Sequence, residues 1–367
     1  MFEIIIAAVF FLYLVQSLLL IIGAMRKFPR LSPENLPTAT VLVAAKNEEN
    51  NILSCIEALS RLEYPEGRLQ IILIDDNSTD RTSEIIDNFI KDKPVFLKVK
   101  PPLEKGVLKG KTNALAHGIK FATGRVILTT DADCVVNPLW ASTICSYYTE
   151  GVGLVNGYTP QTAVNGFEGM QHLDFMYLLT VAAGMINYRM PISCIGNNMS
   201  YLKEAYDKVG GYEALPFSIT EDLNLLMAIH RLKKYRIIYP RDISSTVVSA
   251  PCENYGVLYR QKKRWGIGGI NAPAEGYLVL GTGYFMNLLM IAGWFFLSLP
   301  VAAIFAGKIL LDILLLYVTL KDLKLTNTLR FFPAFELYFI IYVIILPFVV
   351  FSDRTVEWKG RTFVKGQ

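Results

Sequence analysis

Missing from this chain of 367 residues are long basic runs, basic patches interleaved with aromatics, internal repeats and low-complexity segments. Nucleic acid is therefore not an expected partner, and a repeat architecture is excluded. The net charge of +4 is modest for the length, and contact with a membrane accounts for the surplus. Cysteine is scarce: Cys55, Cys134, Cys145, Cys194 and Cys252 are an odd number without the paired spacing of a zinc site. A disulfide framework and a structural zinc both drop out, leaving free thiols as the expectation. Charge itself is sparse, at 19% against 52% apolar residues, with a mean hydropathy of +0.35.

The apolar excess is clumped. From Phe2 to Met25 the only charged side chain is Glu3. At ~1.5 Å per residue such a helix is long enough to cross a hydrocarbon core of roughly 30 Å. Arg26, Lys27 and Arg30 follow the run instead of preceding it, so it reads as an uncleaved anchor whose C-terminal end is held in the cytoplasm. A second apolar region starts near Leu278, broken by Pro300, Lys308, Asp312 and the polar stretch from Lys321 to Arg330. Tyr284 to Val301 and Phe331 to Phe351 are long enough to span. Ile309 to Leu320 is short and carries Asp312 four residues after Lys308, so crossing, interfacial and re-entrant readings all stand. With them stands the side on which Lys359, Arg361 and Lys365 emerge.

Between Pro37 and Arg260 the pattern changes to short β-branched runs, each followed by an amphipathic helical stretch, which predicts an open, mostly parallel α/β sheet. Expected strands cover Thr40–Ala44, Gln70–Ile74 and Arg125–Thr129; expected helices cover Asn50–Arg61, Asp80–Ile90 and Lys111–Phe121. Ligands bind such sheets at the carboxyl ends of the strands, so the polar residues there are the candidates. After the first strand, Ala45 leaves room for a flat ring, and Glu48 suits either a ribose hydroxyl or the cap of the next helix. After the second, Asp75 sits at the strand tip and suits a pyrimidine N–H, with a Ser or Thr capping the next helix. After the third comes Asp131-Ala132-Asp133: two carboxylates two residues apart in extended chain point the same way and can share a divalent cation with a diphosphate. Lys111 opens a helix whose amides also favour phosphate.

Farther along, Thr220-Glu221-Asp222 precedes a helix expected over Leu223–Leu232. Adjacent side chains diverge, so one carboxylate at most aims at an acceptor; Asp222 is the choice, with N-capping by Thr220 the alternative. In Gln261-Lys262-Lys263-Arg264-Trp265, residues 261, 264 and 265 share a helix face, leaving Lys262 and Lys263 for anionic headgroups. The Met-rich stretch from Asn165 to Tyr188 suits either a shelf for a lipid or packing against the core of the sheet domain.

Taken together, the Asp-Asp-x-Ser at Asp75–Ser78, the Asp-x-Asp, the Thr-Glu-Asp and the Gln-x-x-Arg-Trp resemble, in order and spacing, the family 2 glycosyltransferases over roughly Thr40 to Trp265. That resemblance implies a GT-A type, Rossmann-like sheet with N- and C-terminal transmembrane helices. It implies Asp75 on the base, Ala45 and Glu48 lining the nucleoside pocket, Lys111 on the donor, and Asp131 and Asp133 on Mg²⁺ or Mn²⁺ and the diphosphate. It also implies Asp222 as catalytic base, and Gln261, Arg264 and Trp265 closing over donor and acceptor. Gly210-Gly211-Tyr212, preceded by Gly196-Asn197-Asn198, resembles the family's acceptor-side segment, though these glycines equally suit turns. The tail from Val356 to Arg361 is similar to that of bacterial members acting on membrane lipids.

The implied organisation is an anchor over 1–30, a cytoplasmic catalytic domain over 31–250, an interfacial region over 251–277, two or three transmembrane helices over 278–352 and a polar tail over 353–367. The implied function is inverting transfer of a hexose from a UDP-sugar to a lipid acceptor by a multi-pass protein of the inner (plasma) membrane. The chain is short for a polymer channel, which favours single-sugar transfer. A processive polysaccharide synthase and a non-catalytic membrane scaffold are the alternatives.

Overall fold

A computed structural model describes residues 1–104, 106–270, 272–358 and 361–364. The chain forms two compact units: Lys27–Pro160 with Cys194–Ala250, and Met1–Arg26 with Gln161–Ser193 and Pro251–Gln367.

The first of these units is built on a sheet whose strands run, edge to edge, β3 (Phe96–Val99), β2 (Leu69–Asp75), β1 (Ala39–Ala45), β4 (Val126–Asp131), β7 (Met199–Leu202), β6 (Val152–Asn156) and β8 (Arg236–Ile238). β7 alone among these runs antiparallel to its neighbours. The central strands are buried along their length because helices cover the sheet, so they read as near-continuous apolar runs. The crossovers carry α2 (Ile52–Ser60), α3 (Thr82–Ile90) and α4 (Gly110–Ile119), which match the expected α/β alternation. α5 (Trp140–Ser146), α7 (Lys203–Lys208) and α8 (Glu221–Arg231) complete the unit, with a small ribbon of β5 (Cys134–Val136) and β9 (Val247–Ser249). The five cysteines are free, as expected.

The second unit gathers α1 (Phe2–Ala24), α6 (Gly166–Asn187), α9 (Tyr255–Gly269), α10 (Ala274–Gly293), α11 (Leu299–Asp322) and α12 (Phe332–Ser352), followed by a hairpin of β10 (Thr355–Trp358) and β11 (Arg361–Val364). Among the described residues, four helical segments are long and apolar enough to cross a membrane: Phe2–Ala24, Ala274–Phe296, Leu299–Asp322 and Thr326–Ser352. The expected span from Tyr284 to Val301 is divided. Ser298 accepts from the Val301 amide and starts a new helix, and Pro300 falls in its first turn, where a missing N–H costs nothing. Ile309 to Leu320 is therefore the C-terminal half of a helix of 24 residues. Its charges are neutralised internally: the Lys308 ammonium lies 2.7 Å from Asp312 and 2.6 Å from Glu336, while Tyr13 and Tyr177 bond Asp312. A buried charge survives in such surroundings only when paired in this way.

The Met-rich stretch forms α6, buried around most of its circumference, with α1, α11 and α12 packed on it. The approach of α1 is close enough that a Cβ on Gly23 would lie 2.5 Å from the Gly184 carbonyl oxygen. Of the tail, residues 359, 360 and 365–367 lie outside the described residues.

Candidate active site

In the sheet unit, β1, β2 and β4 end together: the register sets Ala45 beside Asp75 and Ala44 beside Asp131. The loops that follow β1 and β2 are laced to each other. Asn47 and Asn77 both adopt positive φ, which asparagine tolerates, and the Asn47 side chain accepts from the Thr79 amide at 2.8 Å. The Glu48 amide donates to Thr82 at 2.8 Å, and the Glu48 carboxylate accepts from Asn51 at 2.9 Å. Asp75, at 3% exposure, accepts the Ser78 amide at 3.0 Å. The expected Ser or Thr cap on α3 is not found: the N-cap is Arg81, and Asp80 before it accepts from the Thr82 amide.

Asp131 is the last residue of β4, but Ala132 and Asp133 form a turn into β5. The expectation of an extended Asp-x-Asp thus holds only to Asp131, and the turn, not strand alternation, orients Asp133. Asp133 is exposed and the Asp131 side chain is 37% exposed.

Across from Asp131, Gly110 with φ +54 starts α4 and aims the next residue, Lys111, back at the strand ends. The Lys111 ammonium lies 2.5 Å from Asp131 Oδ1 and 3.2 Å from Glu221 Oε1. Burial opposes its charge, but Asp131 and Glu221, with Asp222 beyond, outweigh burial and hold it well above the usual lysine range. One cation thereby joins the Asp-x-Asp to the Thr-Glu-Asp, two segments far apart in the chain.

Thr220 sits before α8 without capping it through its side chain. The acidic pair diverges as expected, with Glu221 turned to Lys111 and Asp222 Oδ1 accepting its neighbour's amide, Leu223 N, at 2.8 Å. Asp222 Oδ2 rests against Gly196, where a Cβ would approach to 3.1 Å. The sequence offers Glu221 only as the diverging neighbour of Asp222 and Gly196 only within Gly196-Asn197-Asn198, so neither the Glu221 contact with Lys111 nor the Gly196 contact with Asp222 was expected. The neighbouring asparagines are core polar groups. Asn198 accepts from the Trp140 indole at 2.9 Å and donates to two carbonyls, and Asn197 accepts from Thr159 at 2.8 Å. Gly210 and Gly211 have φ of +80 and +65 and serve as turn residues.

The donor set suits a hard divalent cation. Two carboxylates offer oxygen, and among the described residues no group of three His, Cys, Asp or Glu forms a closed cage. Phosphate oxygens and water would have to complete the shell of a bound ion, as is usual for Mg²⁺. The nearby thiols do not compete. Burial first, then Asp133 and Asp131, pushes the Cys134 and Cys55 thiols up, keeping both protonated at neutral pH. The ammonium on Asp131 also shows that positive charge is favoured there.

In the helical unit, Gln261, Arg264 and Trp265 lie on α9, with Trp265 stacked on Phe175 at 5.3 Å. The expectation that Lys262 faces headgroups is corrected: it is buried in an ion pair with Asp174. Lys263 reaches the exposed Asp353 at 2.5 Å.

The model of the family described as "Glycosyl transferase family 2" matches residues 40–223. A beta-monoglucosyldiacylglycerol synthase of Synechocystis is 30% identical over 247 residues, covering 64% of this chain and 48% of that protein. The probable glycosyltransferase YdaM of Bacillus subtilis is 29% identical over 250 residues, covering 64% and 56%. A poly-beta-1,6-N-acetyl-D-glucosamine synthase of Staphylococcus epidermidis is 28% identical over 243 residues, covering 62% and 53%. The chain spans about half the length of these curated relatives. Among solved structures, a mannosyltransferase of Pyrobaculum calidifontis, in complex with GDP-Man and Mn²⁺, superposes with a TM-score of 0.61 at 20% identity, over 92% of this chain and 98% of that one. The matched residues run from β1 through the strand-end carboxylates to Glu221 and Asp222, so the segments that Lys111 joins are those the family model spans, and the chain belongs to glycosyl transferase family 2.

Proposed function

We propose that the protein transfers a hexose, with inversion, from a UDP-sugar to a lipid acceptor at the cytoplasmic face of the inner (plasma) membrane. The observation that carries this reading is the Lys111 bridge, which gathers Asp131, Glu221 and Asp222 at the carboxyl edge of the sheet. The apolar helices and the diacylglycerol-linked name of one relative support a lipid acceptor.

Asp222 takes the proton from the acceptor hydroxyl as its oxygen bonds to the anomeric carbon. The bond from that carbon to the diphosphate oxygen breaks on the opposite face, and UDP leaves with the electron pair. A single displacement of this kind inverts the centre. A divalent cation held by Asp131 and Asp133 would offset charge on the departing diphosphate. Lys111 lies beside Asp131 to meet the same phosphates, Asp75 receives the base, Ala45 and Glu48 line the nucleoside pocket, and Gln261, Arg264 and Trp265 act on donor and acceptor.

The test is to supply purified protein and membrane lipids with labelled UDP-sugars in Mn²⁺ or Mg²⁺ and to weigh the products. A lipid heavier by one hexose is expected, and Asp222→Asn should slow its formation at least ~100-fold while UDP still binds. Polymer in place of a monoglycosylated lipid would replace this reading with processive synthesis. No donor turnover at all would leave the scaffold alternative.

A further inference from the structure

Lys262 lies inside the motif Gln261 to Trp265, and its side chain turns inward among the helices of its unit. Its side chain is 6% exposed and bonds Asp174, on α6, whose side chain is 0% exposed. The Lys262 ammonium also stands 4.5 Å over the Trp265 ring, which stacks on Phe175, next to Asp174 on α6. One turn earlier on α6, Gln171 accepts the Cys252 amide at 2.8 Å and donates to the Cys252 carbonyl at 3.1 Å, fixing the chain just before α9. Gln171, Asp174 and Phe175 are spaced i, i+3 and i+4, so one stripe of α6 grips α9 at its entry, its middle and its tryptophan.

Stability does not explain a buried ion pair at this position. Desolvating both groups costs as much as their attraction returns, and apolar replacements of similar volume are often neutral or stabilising. What an ion pair adds is direction. A Leu–Met contact would permit α9 to rotate about its axis, whereas a bonded ammonium and carboxylate fix the rotation. That rotation sets where Gln261, Arg264 and Trp265 point.

We propose that Asp174 and Lys262 are positioning residues for sugar transfer, holding α9 at the rotation that presents Gln261, Arg264 and Trp265. This rests on the reading that those three residues act on donor and acceptor.

The experiment compares two paired variants of the full chain in detergent or nanodiscs. Asp174→Leu with Lys262→Met keeps volume and loses direction; Asp174→Asn with Lys262→Gln keeps a directed hydrogen bond without charge. The apolar pair is expected to melt within a few degrees of the parent while its donor kcat/KM falls at least ~20-fold. The amide pair should remain within ~5-fold of the parent. A purely structural role would shift melting and the active fraction but leave kcat/KM per folded molecule unchanged. Parent-like kcat/KM in the apolar pair overturns the proposal. Should the apolar pair not accumulate, the amide pair decides alone: kcat/KM within ~5-fold of the parent supports it, and loss to background overturns it. Failure of the underlying reading shows separately, as Gln261→Ala, Arg264→Ala and Trp265→Ala variants that turn over donor like the parent.

Discussion

Asp222 Oδ2 lies against the α-carbon face of Gly196, so close that a methyl group there would stand 3.1 Å from the carboxylate oxygen. Gly196 precedes β7 and Asp222 lies in the first turn of α8, so two distant segments meet at the proposed base. Gly196→Ala should displace the carboxylate by a few tenths of an ångström and lower kcat about tenfold. Gly196→Val should lower it by ~100-fold, since misplacement near 1 Å costs that much. Steady-state kinetics on protein of unchanged melting temperature checks this, and parent-like turnover by the valine variant would remove the constraint.

Asp131 and Asp133 differ in setting, one at a strand end beside Lys111 and the other in an exposed turn. If both ligate the same cation, Asp131→Asn and Asp133→Asn should each raise the Mn²⁺ concentration for half-maximal activity by at least ~10-fold. A titration of activity against Mn²⁺ reads this directly. An unchanged midpoint in either variant takes that residue out of the ligand set.

His172, 1% exposed on α6, is held neutral: burial lowers its pKa from 6.5 to about 4, only partly opposed by the Gln161 backbone. The unfolded chain takes up a proton near 6.5 and the native ring resists it until about 4. The native state is therefore penalised progressively as pH falls through that window and not above it, by on the order of 3 kcal/mol at the acid end. Melting curves between pH 7 and 5 should show a steeper decline for the parent than for His172→Gln. Parallel declines would refute the assignment.

At the crossing of α1 and α6, a Cβ on Gly184 would meet the Leu20 carbonyl oxygen at 2.7 Å, and backbone cannot step aside as a side chain can. Gly184→Val should destabilise the helical unit by about 1–3 kcal/mol. Thermal melts in detergent measure it.

Much of the fold could be read from pattern. β1, β2 and β4 lie within two residues of their expected bounds because each is an apolar run closed by polar residues, and a buried parallel strand has no other signature. α2 to α4 followed from amphipathic spacing in the same way. The helices near the C-terminus were harder. Pro300 looked like a break and falls in the first turn of α11, because position within that turn, not composition, decides whether proline is tolerated. Asp312 looked out of place in a span; its partner Lys308 stands four residues earlier on the same helix, and the second carboxylate on Lys308, Glu336, comes from another helix.

What the sequence alone determined is the chemistry at the strand ends: Ala45, Asp75 and Asp131 had to emerge at one edge, because parallel strands of like length end together and their loops follow. Only tertiary structure decided which groups meet there. Lys111 reaches Glu221 across more than a hundred residues, Gly196 cradles Asp222, and Lys262 turns inward to Asp174 instead of outward to lipid. Those pairings depend on how helices are placed against the sheet and against each other, and local periodicity carries no record of a partner contributed by another element.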